Sequence, residues 1–79
     1  QVLRSFVDGD RLKEIPSSRK KRQVILKWLV NQFERDRTYA EAEINEIIKR
    51  HHPDSATLRR EFIANKLMER ENGRYWRVA

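Results

Sequence analysis

Residues 54–78, DSATLRREFIANKLMERENGRYWRV, predict a helix followed by a two-stranded hairpin. The hairpin signal is Asn72-Gly73, because these residue types accept the positive φ angles of a two-residue turn. Such a turn fixes the register of the strands as Glu71 with Arg74, Arg70 with Tyr75, Glu69 with Trp76, and Leu67 with Val78. Period-two alternation then puts Leu67, Trp76 and Val78 on one face. The other face is predicted to point outward, with Met68, Arg70, Tyr75 and Arg77.

Two helices are predicted immediately before this hairpin. Apolar residues at helical spacing indicate a helix over about residues 40–50, and they are Ala40, Ile44, Ile47 and Ile48. Pro53 ends that helix, and Asp54 or Ser55 caps the next one, which runs from Ser55 to Asn65 or Lys66. Two helices joined by residues 50–54 form a helix-turn-helix, and the hairpin after it makes the pattern that of a winged helix.

The N-terminal third of the chain predicts a ribbon and a further helix. Asp8-Gly9 indicates a tight turn inside a short ribbon over residues 6–15, which Pro16 ends. Ser17 or Ser18 caps a helix from Lys20 to Phe33, the central helix of the core. The predicted fold is mainly α with small β, a winged helix-turn-helix with three helices, an N-terminal ribbon (1–16), a helical core (17–68) and a wing (67–78).

Composition limits the class of protein. The 79 residues include 18 Lys and Arg against 12 Asp and Glu, a formal net charge of +6, and no Cys. This length predicts a single domain over residues 1–79, and Gln1 in place of Met suggests that it was cut from a longer chain. The absence of Cys excludes disulfides, thiolate metal sites and a Cys nucleophile. The N-terminus does not predict a signal peptide, and no apolar stretch reaches the roughly 18 residues that a membrane span needs. Excess positive charge favours nucleic acid as the partner.

One basic cluster lies where the first helix begins. Arg19, Lys20, Lys21 and Arg22 follow one another there, although the helix dipole disfavours cations at a helix N-terminus. Helix stability therefore does not explain the cluster, and contact with phosphate would. The alternative is a solvated helix start that keeps a small domain soluble.

A second set of candidate residues lies in the third helix. Thr57 and Arg60 fall opposite the apolar Leu58, and the first turns of this helix in a helix-turn-helix meet base edges in the major groove. Arg60 is the best candidate to contact a base, because a guanidinium bonds the O6/N7 edge of guanine in a fork. Arg59 falls on the flank, where it either approaches DNA or pairs with an acid such as Glu41 or Glu43.

The wing supplies a third set. Its basic residues surround an aromatic side chain on the face predicted to point outward, with Arg70, Tyr75 and Arg77 on that face and Arg74 beside the turn. Such a surface suits contact with the DNA backbone or the minor groove, and it equally suits cross-strand packing.

No residues predict catalysis or a cofactor. His51 and His52 are adjacent and project in different directions, so they do not share a metal easily. The glutamates at positions 41, 43 and 46 are typical of the solvated face of an amphipathic helix. The serines have no His in a triad motif, and the two glycines lie in turns. We therefore expect neither an enzyme nor a metal site.

The motifs as a set resemble an uncharacterised prokaryotic domain family of unknown function. The matching runs are 6–9, 12–16, 20–22, 39–45, 54–62, 68–70 and 75–77. This family occurs in transcription regulators, often C-terminal to a separate helix-turn-helix domain. The resemblance implies a bacterial or archaeal cytoplasmic protein, or a domain of one, that is linked to gene regulation. The run Thr57-Leu58-Arg59-Arg60-Glu61-Phe62 is also similar to the start of the recognition helix in sugar-responsive repressors, Thr-Ile-Arg-Arg-Asp-Leu. That similarity implies that Thr57, Arg59 and Arg60 face DNA.

Two functions are compatible with this sequence. The first is a DNA-binding module of a prokaryotic transcription regulator, with double-stranded DNA as its partner, no small-molecule substrate and no catalysis. The second is an interaction or dimerisation module that pairs with another domain or subunit of the regulator. The second predicts an exposed apolar patch around Trp76, Tyr75 or Leu3. RNA binding is a weaker option, because no aromatic sheet platform is apparent.

Overall fold

The computed structural model describes residues 6–79, which form three helices and two small antiparallel sheets. The helices are α1 (Arg19–Val30), α2 (Glu41–Lys49) and α3 (Ser55–Ala64). The strands are β1 (Val7–Asp8), β2 (Arg11–Leu12), β3 (Tyr39–Ala40), β4 (Met68–Glu71) and β5 (Arg74–Arg77). The α+β class is as predicted, and the arrangement is consistent with a winged helix. Among the described residues, none of the helices combines the length and apolar composition that a bilayer crossing requires.

A short strand just before α2 was not predicted from the sequence. Residues 38–39 were expected to lead into the helix, yet β3 pairs with β5, opposing Tyr39 to Tyr75 and Ala40 to Arg74. The sheet therefore has the order β3-β5-β4. A two-residue strand carries no periodic pattern of its own, so only its partner far along the chain defines it. This strand ties the start of α2 to the wing.

The core forms where the helices meet the three-stranded sheet. Phe33 lies at its centre and makes edge-to-face contacts with Tyr39 and Phe62, with ring centroids 5.3 and 5.8 Å apart. The first helix ends at Val30, although the sequence predicted that it would reach Phe33. Phe33 is nevertheless only 2% exposed, because its ring packs in the core from the turn that follows the helix.

The wing has the predicted register but the opposite orientation. The four residues of β4 pair with β5 as expected, from Glu71 with Arg74 to Met68 with Arg77. The face predicted to point outward lies against the core, since Met68 and Tyr75 are each 1% exposed. Val78, predicted on the opposite face, is 49% exposed. Pairing with β3 explains the orientation, because it sets Tyr75 beside the buried Tyr39.

The predicted N-terminal ribbon is present and packs against the turn between α2 and α3. Its two loop residues are Gly9 and Asp10, one position later than predicted, and Gly9 has a φ of +67°. The ring of His51 is buried against Trp28, and its Nδ1 contacts the carbonyl oxygen of Asp10. The backbone N–H of Leu12 donates to the carbonyl of His51 at 2.7 Å. His51 is thus a packing residue between the ribbon and α1.

Candidate nucleic-acid interface

The third helix presents a basic outer side to solvent. Leu58 and Phe62 are completely buried, whereas Arg60 and Ala64 are exposed on the opposite side, as the helical spacing predicted. Asp54 caps the helix by accepting a hydrogen bond from the backbone N–H of Thr57 at 3.2 Å. Hydrogen bonds from the Thr57 side chain and backbone lower the pKa of Asp54 below its ordinary value. Thr57 is therefore half-buried and engaged in the cap, and Arg60 is the exposed basic residue of this helix.

A groove of about 500 Å³ separates α3 from the β4–β5 hairpin. Three arginines line it, two from the helix and one from β4, and its lining residues are Arg59, Arg60, Ile63, Ala64, Arg70 and Tyr75. The sequence placed these arginines in two separate sets. The core-facing orientation of Tyr75 brings them together, because it turns this face of the hairpin toward α3.

Arg59 lies on the flank of α3, as predicted, but its partner is different. Its Nη1 donates to the Oδ1 of Asn45 in α2, and not to Glu41 or Glu43. An amide holds the guanidinium without neutralising its charge, and the group retains further N–H donors. The sequence offered one signal for this contact, the position of Arg59 beside the apolar side of its helix.

Arg70 occupies the sheet side of the same groove. A hydrogen-bonding interaction with Tyr75 and the negative charge of Glu41 raise the pKa of Arg70. Tyr75 itself is fixed, because its hydroxyl donates to Oε1 of Glu41 at 3.0 Å. The Arg70 side chain is exposed and is therefore accessible to a ligand.

The basic cluster at the start of α1 does not form one surface. Arg22 points to the core side of the helix, where its Nε lies 3.0 Å from Oε1 of Glu61 in α3. Lys21 lines a different groove, beside Glu14 and Pro16. At about 100° per residue, Lys20 falls opposite the buried side of the helix. Arg19, Lys20 and Lys21 are exposed, and none of them lines the groove that contains Arg60.

The two arginines predicted in the wing differ in accessibility. Arg74 is exposed beside the Asn72-Gly73 turn. Arg77 instead donates from Nη1 to the carbonyl of Phe33 at 2.9 Å and from Nη2 to Oδ1 of Asn31 at 3.2 Å. Burial lowers the pKa of Arg77. Arg77 therefore fastens β5 to the turn after α1 and is half-buried.

The histidines and carboxylates are dispersed. Within residues 6–79, no three or more His, Cys, Asp and Glu side chains lie close enough together to hold a metal ion. His52 accepts a hydrogen bond on Nδ1 from the backbone N–H of Asp54 at 3.0 Å, so it supports the turn before α3. Glu43 accepts from the backbone N–H of Ala40 at 3.0 Å and so caps α2.

Fold and groove together define a small α+β domain with a basic helix beside a hairpin. The chain belongs to the family described as "Uncharacterized protein conserved in bacteria" (DUF2087), whose model matches residues 11–77. The resemblance to a prokaryotic family of unknown function is thereby confirmed. No significant match was found among curated proteins or among solved structures.

Proposed function

We propose that this domain binds double-stranded DNA through α3, as the DNA-binding part of a bacterial transcription regulator. The observation that carries the proposal is the position of Arg60. It is exposed on the outer side of the second helix of a helix-turn-helix and shares a groove with Arg59 and Arg70. This is the side of such a helix that enters the major groove. A DNA-binding role implies residence in the cytoplasm and requires no catalysis.

The chemistry of the outer side of α3 suits a duplex. An exposed arginine forms two parallel hydrogen bonds to guanine O6 and N7, which supplies base preference. The net charge of +6 supplies attraction to the phosphate backbone irrespective of sequence. In this proposal Arg60 contacts bases, and Arg59 and Arg74 approach the backbone. Arg19, Lys20 and Lys21 add general attraction, and Arg22 adds less because Glu61 neutralises it.

An interaction module is the alternative proposal, and the described surface gives it less support. Tyr75, one residue of the expected apolar patch, is 1% exposed. Trp76 is half-buried in a groove that also includes Lys66, Glu69 and Glu71. Leu3, the remaining residue of that patch, lies outside the described residues. A mixed-charge groove is a poorer docking surface than a continuous apolar patch.

Duplex binding across a salt series tests the DNA proposal. The wild-type domain should bind with an affinity that falls steeply as salt rises, because bound phosphates release counterions. Arg60→Ala should weaken preference among duplexes of different sequence. Lys27→Ala is the matched control, since Lys27 is exposed on the outer side of α1 and its loss also removes one positive charge. Absence of duplex binding even at low salt, or equal behaviour of the two variants, would contradict the proposal.

A further inference from the structure

We infer that the groove between α3 and the hairpin is a phosphodiester-binding cleft in which Arg70 makes the main contact. This inference rests on the proposed DNA binding and assigns base contact and phosphate contact to different arginines. Arg60 contacts bases at the outer side of the helix, and a backbone phosphate of the same duplex lies in the cleft between Arg59 and Arg70. The wing then makes its main phosphate contact through Arg70 in β4.

The composition of the lining distinguishes this cleft from the other grooves. Three of its six lining residues are arginines, and the other three are uncharged, so no carboxylate lines it. Four other grooves on the described surface each include at least one glutamate. A cleft with cations and no acid favours an anionic ligand. The guanidinium fork matches the geometry of phosphate oxygens particularly well.

One arginine of the cleft, Arg59, is held in place before any ligand arrives. Arg59 is bonded to Asn45, an uncharged partner that leaves the positive charge intact. Arg70 lies beside Tyr75, whose hydroxyl is fixed by Glu41 at 3.0 Å. Ordering a long side chain in advance lowers the conformational entropy lost on binding. The cleft therefore contains one arginine, Arg59, that is already positioned beside the exposed Arg70.

Arg70→Ala tests the inference with duplex DNA of random sequence as the probe. Loss of one phosphate contact lowers the magnitude of the log–log salt slope by about 0.9. Between about 50 and about 200 mM salt, the affinity of the wild type should therefore fall roughly 3.5-fold more than that of the variant. Arg70→Lys should keep most of the wild-type slope, because it retains the charge. Lys27→Ala should also keep the wild-type slope, and a thermal scan of each variant confirms that it is folded.

The outcomes of these experiments distinguish a failure of this inference from a failure of the DNA-binding proposal. If the wild type binds duplex and Arg70→Ala has an unchanged salt slope, the cleft assignment is overturned and the DNA proposal stands. If the wild type binds no duplex, the DNA proposal fails, and inorganic phosphate becomes the probe. Saturable NMR shifts at the amides of residues 59 and 70, absent in Arg70→Ala, would then support an anion cleft. Absence of such shifts would overturn it.

Discussion

Arg22 and Glu61 join the first helix to the third, with Nε of the arginine 3.0 Å from Oε1 of the glutamate. Their side chains are 30% and 27% exposed, so solvent screens the pair only in part. The contact packs the start of α1 against the flank of α3 and neutralises one cation of the basic cluster. Arg19, Lys20 and Lys21 remain as the exposed cations of that cluster.

Glu61→Gln should release Arg22 for contact with phosphate. We expect tighter binding of random-sequence duplex at low salt and a salt slope steeper by up to about 0.9. The free energy of unfolding should fall by less than about 1 kcal/mol, as is usual for partly exposed ion pairs. Fluorescence anisotropy and thermal unfolding measure the two effects. Weaker duplex binding by a folded variant would show that Glu61 and DNA phosphate do not compete for Arg22.

Gly73→Ala should destabilise the wing through the backbone alone. Asn72 and Gly73 have φ angles of +52° and +77°, and a Cβ added at Gly73 would meet no atom within 4 Å. The left-handed conformation costs an alanine about 1 kcal/mol, which lowers the Tm of a domain this size by roughly 4–8 °C. Gly73→Asn is the control and should lose less, since Asn tolerates this conformation. Equal Tm values for wild type and Gly73→Ala would refute the role of the turn.

Tyr75→Phe should remove one hydrogen bond and leave the packing intact. The phenol is 1% exposed, and its hydroxyl donates to Glu41 at 3.0 Å. We expect a loss of about 1 kcal/mol in the free energy of unfolding, with the urea m-value unchanged. A double-mutant cycle with Glu41→Gln isolates the coupling between the two residues. Strict additivity in that cycle would mean that the hydrogen bond contributes nothing.

Stability should fall in acid because two helix caps are carboxylates. A hydrogen bond from the backbone N–H of Ala40 lowers the pKa of Glu43, and hydrogen bonds from Thr57 lower that of Asp54. Their contribution is complete above the ordinary pKa values of 4.5 and 3.8 and is lost as the pH falls through the lower folded values.

Substitutions that keep the caps and remove the charge check this pH dependence. Asp54→Asn and Glu43→Gln retain an acceptor oxygen without an acidic group. Thermal unfolding from about pH 6 to about pH 3 should show a flatter decline for the double variant than for the wild type. Parallel curves would mean that other carboxyl groups control the acid response.

Local patterns predicted the elements that local residues define. Asn72-Gly73 fixes the register of the wing, and the spacing of Ile44 and Ile48 defines α2 without help from the rest of the chain. The predicted orientation of the hairpin was wrong, because its arginines suggested that the face around Tyr75 is solvated. That face is buried through β3, whose two residues become a strand only by pairing with β5.

The exposure of single residues at the candidate interface could be predicted from the sequence. Which of these residues come together in the folded domain could not. The helical spacing placed Arg60 outward correctly, since a single helix determines it. The partners of Arg22, Arg59 and Arg77 lie 39, 14 and 44 to 46 residues away in the chain, and no sequence pattern links such pairs. Long-range contacts therefore decided which cations are engaged and which remain accessible.

NMR chemical-shift mapping with duplex DNA tests most directly whether α3 is the contacting surface. We predict saturable shifts that are concentrated on the outer side of α3 around Arg60 and on β4 around Arg70. The amides around Lys20 and Lys27 on α1 should change little. Shifts concentrated on α1, or no saturable shift at low salt, would contradict it.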